Sequence, residues 1–141
     1  MSYVHIAHDC KISSNTKIAN NVQMGGYSTI LDGAYIGLSA VLHQFTVIGA
    51  FAMIGMGSVI SKNIPPGSLA VGSPARVIKI NKVALVNAGL NNFEWVPDYL
   101  ENPSLAKIHP ELYKHFQNYL EVTSARREEK KEIEIYRKKF S

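Results

Sequence analysis

The sequence predicts a mainly β protein: a parallel β-helix of about three coils, followed by a C-terminal α-helical segment. Residues 6–65 divide into ten consecutive hexads without a gap. Ile, Met or Leu opens every hexad, and a small or β-branched residue usually occupies its fifth position. Beyond this repeat, apolar residues recur at the three-to-four-residue spacing of a helix.

The six-residue period predicts the β-helix over residues 1–64. It matches neither the 3.6-residue period of an α-helix nor the alternation of a flat strand. In a parallel β-helix each hexad supplies one short strand and one corner, with its large aliphatic residue inside. Three hexads complete a triangular coil, so that residues 18 apart stack on adjacent coils. Cys10 occupies a fifth position and is expected to pack inside.

Residues 65–80 are predicted to form an exit loop. Pro65 and Pro66 cannot donate to a strand ladder, and turn residues follow at Gly67 and Gly72-Ser73-Pro74.

Residues 81–141 are predicted to be helical. Asn102-Pro103-Ser104 marks a helix start, and Trp95 and Tyr99 are expected to anchor the segment by packing. The apolar residues at helical spacing are Leu105, Ile108, Leu112, Phe116 and Leu120.

Composition indicates a cytoplasmic protein. The hydrophobic share of 46% is ordinary, no apolar run reaches the length of a membrane span, and no signal peptide is recognisable. Most of the net charge of +4 lies in residues 126–139, which carry seven basic and four acidic side chains. These charges interleave as on a solvated helix. Aromatic residues do not interleave with these charges in the way that a single-strand binder uses, so nucleic-acid binding is not expected.

The stacking rule brings chemically useful residues to one edge. His8, Gly26 and Gln44 share the third hexad position, while Asp9 and Tyr27 share the fourth. Strands of neighbouring coils lie about 4.7–4.9 Å apart, so His8 and the Gly26 backbone are predicted neighbours. A histidine beside an exposed amide N–H can act as a general base next to an oxyanion donor.

Four short motifs carry a family resemblance: His5-Ile6-Ala7-His8-Asp9-Cys10, Ala19-Asn20-Asn21, Gly25-Gly26 and His43-Gln44-Phe45. Together they closely resemble the left-handed β-helix acyltransferases, specifically the UDP-N-acetylglucosamine O-acyltransferase family of lipid A synthesis. The resemblance implies a left-handed coil and a homotrimer whose subunits share their sites. It also implies acyl carrier protein or coenzyme A thioesters as donors, a sugar nucleotide or amino sugar as acceptor, and no permanently bound cofactor.

The resemblance also implies residue roles. His8 is the general base on the sugar hydroxyl, Asp9 orients His8, and the Gly26 N–H faces the thioester oxygen. Met53 and Met56 belong to the acyl groove. Met56 is expected to limit the acyl chain to about ten carbons or fewer, unless it serves only as packing between subunits. The substrate cleft is lined by His5, Tyr27, His43 and Gln44.

A second resemblance concerns residues 72–79. This segment is similar to the ending of sugar and serine acetyltransferases that use acetyl coenzyme A, which implies phosphate contacts for Arg76 and Lys79. The alternative is that it only ends the solenoid. Three departures from the first family stand out: Pro74 replaces a histidine, Tyr27 replaces a histidine of the family's cleft, and Asn87-Ala88 replaces a pair of arginines. The family's N-terminal coils, which hold the sugar, are expected to have no counterpart before Met1.

Three function classes remain open on the sequence alone. The first is an acyltransferase, with an acetyl-CoA-dependent sugar acetyltransferase as its variant. The second is a metal-dependent hydratase resembling the γ-class carbonic anhydrases. Its histidine spacing does not match His5, His8 and His43, so no metal is expected. The third is a catalytically silent scaffold or a truncated remnant. An obligate trimer is expected, because the first coil alone leaves an unpaired strand edge.

Overall fold

A computed structural model of the chain describes residues 2–87, 89 and 110–140. Its first part consists of ten two-residue strands, one for each hexad. These strands are β1 (His5–Ile6), β2 (Lys11–Ile12), β3 (Lys17–Ile18), β4 (Gln23–Met24), β5 (Thr29–Ile30), β6 (Tyr35–Ile36), β7 (Val41–Leu42), β8 (Val47–Ile48), β9 (Met53–Ile54) and β10 (Val59–Ile60).

The strands stack in parallel on three faces of a solenoid. One face has the order β1-β4-β7-β10, the second β2-β5-β8, and the third contains β3-β6-β9. His5 pairs with Gln23, and Tyr35 pairs with Met53, so each partner lies 18 residues further along. The predicted parallel β-helix is therefore confirmed, together with three hexads per coil.

The corners depend on a left-handed residue at the fourth hexad position. Every sixth residue from Tyr3 to Gly57 has a φ between 58° and 70°. Asp9 and Asn15 adopt this conformation at low cost, because short polar side chains bond locally in it. Aromatic residues such as Tyr27 do not favour it, so tertiary packing must hold them there. The sequence carries this signal as a fourth position rich in Asn, Asp and Gly, which the sequence analysis missed.

The interior is a column of aliphatic side chains from the first hexad position. From Met24 to Ile60 they are fully buried, and the small fifth-position residues fill the space between them. In the first coil Ile6 is 45% exposed and Ile12 39%, because no described coil lies beneath them. Cys10 packs against this core as predicted, and its Sγ lies 3.2 Å from the carbonyl oxygen of Gly25.

Residues 68–80 form a β-hairpin within the segment that the sequence predicts as an exit loop. Strands β11 (Ser68–Gly72) and β12 (Ala75–Ile80) pair antiparallel, and β11 also pairs in parallel with β9. Pro65 and Pro66 end the hexad ladder, but they precede β11 and leave its N–H groups intact. The chain therefore re-enters the third face and extends it.

Among the described residues, the helices α1 (Lys82–Asn87) and α2 (Pro110–Phe140) follow. Helix α2 lies against the solenoid: Tyr119 packs with Leu31 and Val47, and Phe116 with Leu85. Burial raises the pKa of Tyr119 to about 12. Within the described ranges, no helix is long and apolar enough to cross a membrane.

Part of the helical prediction falls outside the described residues, namely Trp95, Tyr99, the start at Asn102-Pro103-Ser104, and the apolar residues Leu105 and Ile108. Inside α2 the buried face differs from the predicted one. Phe116 is buried as expected, but Leu120 is 52% exposed.

Candidate active site

His8 lies directly against the Gly26 backbone. A Cβ added at Gly26 would lie 2.9 Å from Cε1 and 3.0 Å from Nε2 of the His8 ring, closer than packed atoms tolerate. Only a glycine leaves room for the imidazole in this position. The neighbours that the stacking rule predicted are thus neighbours in the structure.

The Gly26 N–H is left outside the strand ladder. At this corner the ladder bonds come from fourth-position residues: the Tyr27 N–H donates to the His8 carbonyl and the Phe45 N–H to the Gly26 carbonyl, both at 3.0 Å. Among the described residues, nothing accepts a hydrogen bond from the Gly26 N–H. Third-position amides are left out in this way at other corners too. Gly26 differs from them in having an imidazole against it.

Asp9 holds one nitrogen of His8. The distance from His8 Nδ1 to Asp9 Oδ2 is 3.0 Å, and both side chains are exposed. With the proton on Nδ1 donated to the carboxylate, Nε2 carries the free lone pair. Nε2 is also the ring nitrogen nearer to the Gly26 Cβ position, at 3.0 Å against 3.5 Å for Nδ1. The basic nitrogen therefore lies close to Gly26, the residue whose N–H is free.

Helix α2 is hydrogen-bonded to this corner through one buried arginine. The Arg126 side chain is almost completely buried. Its Nη2 donates to the Asp9 carbonyl at 2.8 Å, its Nε to Thr29 Oγ1 at 3.0 Å, and its Nη1 to Glu129 at 2.7 Å. The charge pattern of residues 126–139 predicts a solvated helix and does not indicate that Arg126 is buried against this corner. The sequence does contain a signal, because Phe116, Tyr119, Thr123 and Arg126 follow one another at three-to-four-residue spacing on one face of a helix.

An aromatic column lies beside His8. The Tyr27 ring meets the His8 ring edge-on with centroids 5.2 Å apart, and stacks on Phe45 at 4.8 Å. The Arg126 guanidinium lies 5.8 Å from the Tyr27 centroid. Desolvation, followed by the Asp9 carboxylate, raises the pKa of the Tyr27 hydroxyl. A tyrosine hydroxyl is neutral near pH 7 even at its ordinary pKa of about 10, so it can donate a hydrogen bond.

The predicted cleft residues lie on coils around this corner. Gln44 stacks one coil above Gly26, and His43 precedes it with its Nδ1 3.1 Å from the Gln44 carbonyl oxygen. His5 lies on β1, which leads into the corner of His8, and pairs with Gln23. His43, Gln44 and His5 are all exposed.

The remaining predicted residues lie elsewhere on the chain. Met56 is 77% exposed at the corner built from Leu38 and Gly57, a different corner from that of His8. Met53 and Lys79 line a groove of about 460 Å³ on the third face. Arg76 is exposed on β12. A single chain therefore does not bring these four side chains to His8.

The chain is similar to known acyltransferases in both sequence and fold, although no protein-family model matches it. It is 41% identical over 91 residues to the acyl-[acyl-carrier-protein]–UDP-N-acetylglucosamine O-acyltransferase of Thiobacillus denitrificans, covering 64% of this chain and 35% of the relative. The chain thus spans about a third of the length of the curated relatives it matches.

Solved structures give the same result. The UDP-N-acetylglucosamine acyltransferase of Arabidopsis superposes with a TM-score of 0.68 at 28% identity, over 81% of this chain and 48% of that one. The acetyltransferase domain of PglB from Neisseria gonorrhoeae, in complex with acetyl coenzyme A, gives 0.55 at 28% identity, over 55% and 38%. The resemblance carried by the four motifs is therefore confirmed.

Proposed function

We propose that this chain is an acyltransferase that moves an acyl group from a thioester to a hydroxyl or amine of an amino sugar, in chemistry of the lipid A type. One observation carries the proposal: the His8 ring lies against Gly26, whose backbone N–H has no acceptor among the described residues. The similarity to enzymes named for acyl transfer to UDP-N-acetylglucosamine supports it.

In the proposed reaction His8 acts as base and then as acid. Its Nε2 takes the proton of the acceptor hydroxyl or amine while that atom attacks the thioester carbonyl carbon. The Gly26 N–H donates to the oxyanion that forms on the carbonyl oxygen. The carbon–sulfur bond then breaks, and the thiol leaves with the proton that His8 held. Throughout, Asp9 keeps the other ring proton on Nδ1 and stabilises the imidazolium.

The names of the relatives support the proposed donor and acceptor. Acyl carrier protein is the donor named for the curated relatives and acetyl coenzyme A the ligand of the PglB domain, so a thioester of either kind is proposed here. His5, Tyr27, His43 and Gln44 are proposed to hold the acceptor. A homotrimer in the cytoplasm completes the proposal. In it a neighbouring subunit brings Met56 to the acyl chain, because Met56 lies on another corner of its own chain.

A second candidate is an acetyltransferase that uses acetyl coenzyme A. It is favoured by Arg76 and Lys79, two exposed cations on β12, of which Lys79 lines the groove on the third face. In that case the same corner performs the same chemistry with a shorter acyl group.

The test is acyl transfer by the purified chain from carrier-protein and coenzyme A thioesters of graded length to UDP-N-acetylglucosamine and related amino sugars. We expect His8→Ala to lower kcat about 10²–10⁴-fold, since a general base is lost. His115→Ala, the same change away from Gly26, should retain activity. Preference for about ten carbons or fewer would support Met56 as a ruler, and preference for fourteen would contradict it. No turnover from a folded protein would favour the scaffold or remnant instead.

A further inference from the structure

A basic groove lies between α2 and the upper part of the His8 corner. One wall consists of residues 43–46 and 61–63, and the other of Thr123, Arg126, Arg127 and Lys130. Its volume of about 340 Å³ is within the range of small-ligand sites. We refer to this cavity as the basic groove.

The charge of the basic groove is of one sign. Four cations line it and no carboxylate does. Arg126 is occupied, because it bonds Glu129, Thr29 and the Asp9 carbonyl. Across the part of the chain that the structure describes, Lys62, Arg127 and Lys130 form no ion pair. Three unpaired cations in a concave surface concentrate positive potential, which attracts an anion.

The position of the basic groove relates it to His8. Lys62 and Gln44 share the third hexad position with Gly26, so they lie on the same edge of the solenoid. With coils about 4.8 Å apart, Lys62 lies roughly 10 Å above Gly26. Arg126 contacts the Asp9 carbonyl and also lines the basic groove. A ligand could therefore place one group beside His8 and an anionic group in the basic groove.

We propose that the basic groove binds a phosphate or diphosphate group of a substrate. Arg127 supplies a planar pair of donors suited to phosphate oxygens, while Lys62 and Lys130 supply point charges. The source of the phosphate rests on the proposed function: it is either the diphosphate of a sugar-nucleotide acceptor or the phosphates of the thioester donor. Anion binding itself does not depend on turnover.

The test measures equilibrium binding of uridine diphosphate and, separately, of coenzyme A to the full chain by calorimetry at low salt. We expect Arg127→Gln/Lys130→Gln to weaken binding of one of these ligands about tenfold or more, since two charge-assisted contacts are lost. Lys62→Gln, on the opposite wall, should weaken binding of the same ligand. The matched control is Lys131→Gln/Lys138→Gln, which removes the same charge from α2 outside the basic groove and should leave affinity within about twofold.

If the groove variants lose affinity only for uridine diphosphate, the basic groove binds the acceptor. If they lose affinity only for coenzyme A, it binds the donor. Failure of the wild-type protein to bind either ligand overturns the proposal, as does equal weakening in the control variant. Thermal unfolding of each variant checks that it is folded. Repeating the measurement in His8→Ala separates the two proposals, because binding should persist there even if no acyl transfer is found.

Discussion

At the residue scale, Gly26 and Asp9 are required for different reasons. Gly26 does not have a positive φ, so its backbone conformation is open to other residues, and what matters is the space that the His8 ring occupies. Asp9 has a φ of 59°, which its short polar side chain tolerates, and it also supplies the carboxylate for Nδ1. One position is thus constrained by volume and the other by conformation and charge.

Gly26→Ala should therefore impair activity more than stability. The new methyl group must displace the exposed His8 ring, which can move away at little cost, so we expect the free energy of unfolding to change by less than about 1 kcal/mol. Misplacing the base from the amide should lower kcat about 10²-fold. Urea denaturation and steady-state kinetics on the best substrate of the thioester panel measure the two effects.

The double variant Gly26→Ala/His8→Ala provides the control. If Gly26→Ala acts by displacing His8, the double variant should be about as active as His8→Ala alone, since the two changes remove one function. Additive losses would show that Gly26 acts independently of His8.

At the element scale, α2 is a structural part of the site through Arg126. Its buried face consists of Phe116, Tyr119, Thr123 and Arg126, so an arginine occupies a position that would ordinarily be apolar. The guanidinium satisfies a corner carbonyl at Asp9 that the strand ladder does not. Burial of this charge is compensated by three hydrogen-bond partners, one of them the carboxylate of Glu129.

Arg126→Leu should destabilise the protein by about 2–4 kcal/mol, because buried acceptors lose their donor. Arg127→Leu, the neighbouring exposed position, should cost about 0.5 kcal/mol or less. Urea denaturation of both variants measures the difference. Similar values for the two would mean that the Arg126 contacts do not stabilise the folded state.

Sequence patterns predict the strands of the solenoid, but not the hairpin or the buried face of α2. The hexads predicted ten strands correctly, since each hexad repeats the same local choice of strand and corner. The hairpin of β11 and β12 could not be predicted from its prolines and glycines, because the free edge of β9 decides whether residues 68–72 pair. The face of α2 likewise depends on which surface of the solenoid receives it, and not on the spacing of its apolar residues alone.

At the scale of the whole molecule, burial rises along the solenoid. On the second face Ile12 is 39% exposed, whereas Ile30 and Ile48 are fully buried. Ile12 is stacked on one side only, whereas Ile30 lies between Ile12 and Ile48, and Ile48 lies between Ile30 and Ile64. The aliphatic column thus contributes unequally to stability, although the sequence repeats it evenly.

Ile48→Ala should therefore cost more than the identical change at Ile12. We expect about 3–4 kcal/mol at Ile48, where transfer and cavity costs combine, and about 1 kcal/mol at Ile12, where water already reaches the side chain. Chemical denaturation of the two variants, compared at equal protein concentration, tests this. Equal costs would indicate that another surface, such as a second subunit, encloses Ile12.

The sequence by itself determined the six-residue period, the coil of three hexads and the column of His8, Gly26 and Gln44. Each hexad forms the same strand and corner, so residues 18 apart stack on one another. It also carried the resemblance that the comparisons confirmed. Only the tertiary structure decided that the edge of β9 pairs with β11, that Arg126 reaches the Asp9 carbonyl, and that Arg127 and Lys130 face Lys62 across a groove. These contacts join residues that are up to 117 positions apart, and no local pattern specifies which distant surface a helix or a strand will meet.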